Sequence, residues 1–167
     1  MPEHLLRLAD QSGRGLVLTL GPVTDFPRLQ FLRGVVPRGW NKTWESVPGV
    51  GGGTLWNQPA VANIESLTQD HGSQNLIIHE VLHNVDFARA EYPGEIKFSD
   101  EPEFRKLWTE TEFIDSDWYQ ATYPEEAFAE LGALYFDSPT SRQELRDLYP
   151  KWFDYFRSLA QIPTVSF

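Results

Sequence analysis

The chain has 167 residues, 41% hydrophobic and 14% aromatic, a composition that excludes disorder and is large enough to bury a core without covalent staples. Its net charge of −10 argues against a phosphate-backbone partner, which needs clustered Lys and Arg, and no nucleic-acid function is expected. The absence of Cys removes disulfides, thiolate metal ligands and thiol nucleophiles together.

No apolar run reaches the length of a membrane span, and the start, Met1 to Leu6, lacks the basic and apolar regions of a signal peptide. Gly15 to Leu20 reads as a short buried strand with a helix before it. Pro27 to Leu32 is expected to form a short helix, capped by Asp25 and stopped by Gly34. The glycine-rich stretch from Pro37 to Gly53 has the composition of a functional loop. Strands are expected at Thr54 to Trp56 and Ala60 to Ile64, and glycine-rich backbone entering a strand suits an exposed sheet edge.

From about Ser73 to Ala88 the period becomes helical, with Ile78, Val81, Leu82 and Val85 as the core face. Within this helix lies His79-Glu80-Val81-Leu82-His83. Residues at i and i+4 leave one helical face, so both imidazoles can reach one metal ion while Glu80 stands beside it. These five residues hold two of the four histidines. His4 and His71 are expected to be solvated or hydrogen-bonded and receive no role.

Beyond Pro93-Gly94 the pattern is helical near Glu101 to Thr109, Pro124 to Phe136, Ser141 to Leu148 and Trp152 to Leu159. The expected fold class is therefore α+β: a small mixed sheet with helices in an N-terminal lobe, an all-helical C-terminal lobe, and the His-bearing helix at the seam. One catalytic domain over 1–167 is expected, with lobes of about 1–72 and 73–167.

A catalytic zinc site needs at least a third protein ligand. Arg89 stands six positions after His83, where a metzincin has its third His, and no later Met exists for a Met-turn. The remaining source is a Glu on a second helix. Glu126 and Glu130 share a face one turn apart, with Ala127, Phe128, Leu131, Leu134 and Tyr135 packing inward. Two like charges there repel unless a cation or donor sits between them, which zinc and a ligand His would supply.

The combination of His79-Glu80-x-x-His83-x-x-Asp86, Tyr119 and Glu126-x-Phe128-Ala129-Glu130 resembles the catalytic lobe of anthrax lethal factor and the secreted Pro-Pro endopeptidases. Arg38-Gly39-Trp40, Val47-Pro48-Gly49 and the glycine run look like the latter. The resemblance spans roughly Gly15 to Phe156. It implies one Zn2+ held by His79, His83 and Glu126, Glu80 as general base, Tyr119 as oxyanion stabiliser, and Glu130 orienting a ligand histidine. It also implies a proline pocket shaped by Trp40 and flanked by the charged pair Arg38 and Glu125, with the substrate strand along Gly52 and Gly53. Leu82 departs from the family's usual Gly, and Asn84 from a small residue, without removing a functional group.

The expected function is a zinc endopeptidase acting between prolines in proline-rich extracellular proteins, secreted by analogy and monomeric. A toxin-type protease lobe acting inside target cells, and a non-catalytic zinc-bound module, are the alternatives; the presence of both Glu80 and Tyr119 speaks against the second.

Overall fold

Four helices of the second half begin at a proline, whose missing N–H and fixed φ suit a first helical position. They are α3 (Pro102–Glu110), α5 (Pro124–Asp137), α6 (Pro139–Leu148) and α7 (Pro150–Ala160), with the single-turn α4 (Tyr119–Thr122) between the first two. Earlier in the chain lie α1 (Glu3–Gln11), α2 (Leu76–Arg89) and three short strands, β1 (Leu16–Thr19), β2 (Gly49–Val50) and β3 (Ala60–Asn63). This computed structural model describes residues 1–11, 15–52, 59–68, 72–114 and 119–161, without the side chains of Gln11, Thr68, Tyr119 and Gln120.

The sheet has the order β1-β3-β2, with β1 parallel to β3 and β2 antiparallel to it. The central strand is wholly buried at Ala60, Val61 and Ala62, and Val61 joins Val23, Leu29, Leu32 and Val50 in a small core. Strand β1 differs from the expected buried strand. It is an edge strand, and Leu18 is 48% exposed because nothing among the described residues covers that face. The expected strand at Thr54 to Trp56 lies outside the described residues.

The segment Pro27–Leu32 winds as a 3-10 helix, and its N-cap is Phe26. Asp25 does not cap it. That residue closes a preceding turn, Val23–Asp25, and its carboxylate pairs with Arg33 at 2.8 Å. Arg33 leads into Gly34, whose φ of +74° turns the chain away.

A second and larger core is built from α1, α2, α5 and α7 with the aromatic rings of α3. Phe98 stacks on Phe128 at 5.5 Å, while Phe104 meets Trp152 edge-on at 4.9 Å. The inward residues expected on α5, namely Ala127, Phe128, Leu131, Leu134 and Tyr135, are all buried. Gly132 allows α5 close to α2: a Cβ there would stand 2.6 Å from Leu82 Cδ1. Helix α2 packs against β2 and β3 on one side and α5 on another, so it is the seam between the sheet and the helical half.

Candidate metal centre

Asn75 opens α2, its side-chain oxygen accepting the Ile78 N–H at 3.1 Å, and this cap sets where the motif begins. Leu82 and Val85 turn into the core, which directs His79 and His83 toward α5. There Nε2 of His79 and Nε2 of His83 lie 3.2 Å apart, with the rings nearly perpendicular at 78°. Glu126, in the first turn of α5, brings Oε2 to 3.4 Å from the first nitrogen and 3.3 Å from the second.

Three lone-pair atoms thus converge on one point, and no two of them can face each other favourably without a proton or cation between them. Their spacing fits a metal. Bonds of about 2.0–2.1 Å from a tetrahedral zinc ion would set adjacent ligands ~3.3 Å apart. Two imidazoles and one carboxylate are also a donor set suited to zinc with one coordination position left open.

Glu130, one turn after Glu126, receives Nδ1 of His79 at 3.0 Å on one oxygen and the backbone N–H of Gln74 at 2.8 Å on the other. This bond fixes the His79 ring with Nε2 toward the cluster. Glu80 is 5% exposed, and its Oε2 has no hydrogen-bond partner among the described residues. Burial pushes its carboxyl up to about 7, against the pull of His79 and His83. Burial alone would depress His79, but its bonds to Glu126 and Glu130 outweigh that and raise it to about 10. Burial likewise opposes the ionised form of Glu126, yet the adjacent His83 and His79 hold it far below the ordinary carboxylate range.

Three residues beyond His83, Asp86 is fully buried and accepts the Ser99 N–H at 2.8 Å and the Ser99 hydroxyl at 2.6 Å. Burial raises its carboxyl to about 6 despite these donors. The contact anchors the chain beyond α2 to that helix, three residues after His83.

Strand β2 passes directly over this site. A Cβ on Gly49 would meet Glu80, standing 2.8 Å from its Cδ, and one on Gly51 would stand 2.6 Å from His83 Cγ. The glycine-rich composition of this stretch marks a loop but does not by itself reveal these contacts. The signal was two glycines two positions apart, Gly49 in the edge strand β2 and Gly51 just after it.

Arg38 Nη2 and Glu125 Oε1 meet at 2.6 Å, and the guanidinium also lies 3.6 Å above the Tyr123 ring. The pair ties the loop that carries Trp40, which is 37% exposed, to the start of α5, one residue before Glu126. Gly52 is buried just after β2. Tyr119 begins α4, which packs on α5, but its side chain lies outside the described residues, as does Gly53.

A family profile described as "Anthrax toxin lethal factor, N- and C-terminal domain" matches residues 1–159. A Pro-Pro endopeptidase of Paenibacillus alvei is 34% identical over 95% of this chain and 72% of its own length. Another, from Clostridioides difficile, is 29% identical over 93% of this chain and 69% of its own. The solved structure of PPEP-2, the Pro-Pro endopeptidase from Paenibacillus alvei, superposes with a TM-score of 0.82 at 32% identity, covering 95% of this chain and 84% of that one. The chain belongs to the lethal factor-like Pro-Pro endopeptidase family. In this member of the Pro-Pro endopeptidase family, the cluster of His79, His83 and Glu126 sits where sheet edge, α2 and α5 meet, beneath the two close-approach glycines.

Proposed function

We propose that this chain is a zinc endopeptidase that hydrolyses the bond between two prolines, with His79, His83 and Glu126 as the metal ligands. The carrying observation is the convergence of three donor atoms, at separations of 3.2 to 3.4 Å, beside the buried carboxyl of Glu80. The chemistry supplied by a bound zinc ion is Lewis acidity, which polarises a peptide carbonyl and acidifies water.

Glu80 is the general base in this reading. Its partnerless Oε2 takes a proton from water as the oxygen adds to the scissile carbonyl carbon. The same carboxyl then gives that proton to the proline nitrogen as the carbon–nitrogen bond breaks. Burial, which disfavours the charged carboxylate, eases its uptake of that proton. Glu130 keeps His79 in the tautomer that presents Nε2. The Tyr119 hydroxyl is assigned to the developing oxyanion, on its position seven residues before Glu126 and the family resemblance.

A proline at the cut offers no N–H, so selection of the substrate falls to shape. Trp40 is assigned to the proline pocket, Arg38 and Glu125 to its flank, and Gly52 and Gly53 to the strand along which an extended peptide lies. Action outside the cell, as one catalytic unit and one monomer, belongs to the same proposal and rests on the family resemblance. No helix among the described residues is long and apolar enough to cross a membrane.

The test is a peptide library with and without Pro-Pro, incubated with and without chelator, its cut sites read by mass spectrometry. Chelator-sensitive cleavage between prolines is the expected result. Cleavage confined to bonds without proline would remove the specificity, and chelator-insensitive cleavage would remove the metal.

A further inference from the structure

The antiparallel helices α2 and α5 touch through a ladder of polar contacts. Glu126 faces His79 and His83, and Glu130 bridges His79 and Gln74. A last rung lies farther out. Asp137, the final residue of α5, receives the Asn75 side-chain amide at 2.8 Å on Oδ1 and the Gln74 side-chain amide at 3.2 Å on Oδ2.

Asp137 is poorly placed on its own helix, because a carboxylate at a C-terminus meets the negative end of the helix dipole. It is well placed on its neighbour. Its partners Gln74 and Asn75 are the residues that enter α2, where the dipole favours negative charge. Asn75 is doubly engaged, accepting from Ile78 within α2 and donating to Asp137 on α5.

We propose that Asp137 is a positioning residue of the metal centre: by gripping Gln74 and Asn75 it fixes the register of α2 on α5, and with it the approach of His79 and His83 to Glu126. The inference rests on the metal-site reading above. One contact between two helices is a pivot, whereas two contacts fix slide and tilt together. Glu130 and Asp137 are seven residues apart on α5, about 10 Å along its axis. A slip of one residue would move a ligand by about 1.5 Å, well beyond the roughly 0.5 Å that a functional constellation tolerates.

The experiment measures zinc affinity of the folded protein by competition with a chromophoric chelator, alongside the thermal midpoint. Asp137→Ala touches no ligand directly and acts through Gln74 and Asn75, so it is expected to weaken zinc binding by about tenfold, the lower end of the range for losing a partner bonded to a ligand itself. Asp137→Asn still accepts from Asn75 and should recover most of that loss. Ser138→Ala is the control, since Ser138 caps α6 through a reciprocal pair with Ser141 and touches neither Gln74 nor Asn75. It should lower the thermal midpoint while leaving zinc affinity within about twofold.

If Asp137→Ala does not fold, Gln74→Ala removes one limb of the grip at an exposed position and should weaken zinc about threefold. Parental affinity in the variant measured, or an equal loss in Ser138→Ala, overturns the inference. Failure of the parent to bind zinc would overturn the metal reading as well. A parent that binds and cleaves beside an unaffected Asp137→Ala would overturn the register role alone.

Discussion

Nδ1 of His79 donates to Oε2 of Glu130 at 3.0 Å, while the other oxygen of that carboxylate takes the Gln74 N–H. Glutamine at this position has only one oxygen for two donors, so its amide would face either the imidazole N–H or the backbone N–H. Glu130→Gln should weaken zinc binding by about 10–100-fold. Chelator competition checks this, and an unchanged affinity would show that the bond does not orient the ring.

On the proposed ligand set, protons and zinc compete for the same atoms. In the metal-free protein His79 is held at about 10, so at pH 7 it carries a proton that a metal ligand must lose. Zinc uptake should therefore release about one proton from His79 at pH 7, read as a dependence of calorimetric enthalpy on buffer ionisation. Affinity should rise with pH. The stability given by charged His79 to the metal-free protein has the opposite sense: it is fully present below about 6.5 and lost as pH rises toward 10.

The two close-approach glycines should fail differently. Gly51→Ala puts a methyl against the Cβ of His83, which the backbone of α2 holds in place, and should cost about 1–3 kcal/mol together with zinc affinity. Gly49→Ala meets the flexible side chain of Glu80, which can turn aside. Zinc affinity should persist there while kcat/KM falls. Thermal unfolding, chelator competition and peptide cleavage on both variants separate the outcomes, and equal zinc loss in both would contradict the contrast.

Arg38 is more than half exposed, so its pairing with Glu125 should add only about 0.2–1 kcal/mol to stability in a double-mutant cycle. Its larger effect should fall on the substrate. Arg38→Ala frees the loop bearing Trp40 from the start of α5 and should raise KM more than it lowers kcat. Steady-state kinetics on a Pro-Pro peptide measure the split, and a loss confined to kcat would count against a binding role.

Local patterns in the sequence were informative where chemistry and geometry share one helix. His79, Glu80 and His83 are such a case, as the spacing alone puts both rings on one face. Pairing them with Glu126 required two helices to pack, which the inward pattern of α5 anticipated and the family resemblance specified. Edge exposure at Leu18, the diversion of Asp25 to Arg33, and the approach of Gly49 and Gly51 to α2 depend on which segments become neighbours. No local pattern encodes that. Asp137 and Asn75, 62 positions apart, are the extreme instance.

The location of the proposed ligands on two helices also sets an order of events during synthesis. His83 precedes Glu126 by 43 positions, so a growing chain presents two imidazoles well before the carboxylate that completes their set. At about 5–20 residues per second that interval lasts a few seconds. Throughout it the nascent protein lacks α5, the main helical neighbour of α2, and has only two of the three proposed donors, which would hold a metal ion far more loosely than the full set. On the proposed ligand set, the site is accordingly complete only once α5 has left the ribosome and docked against α2.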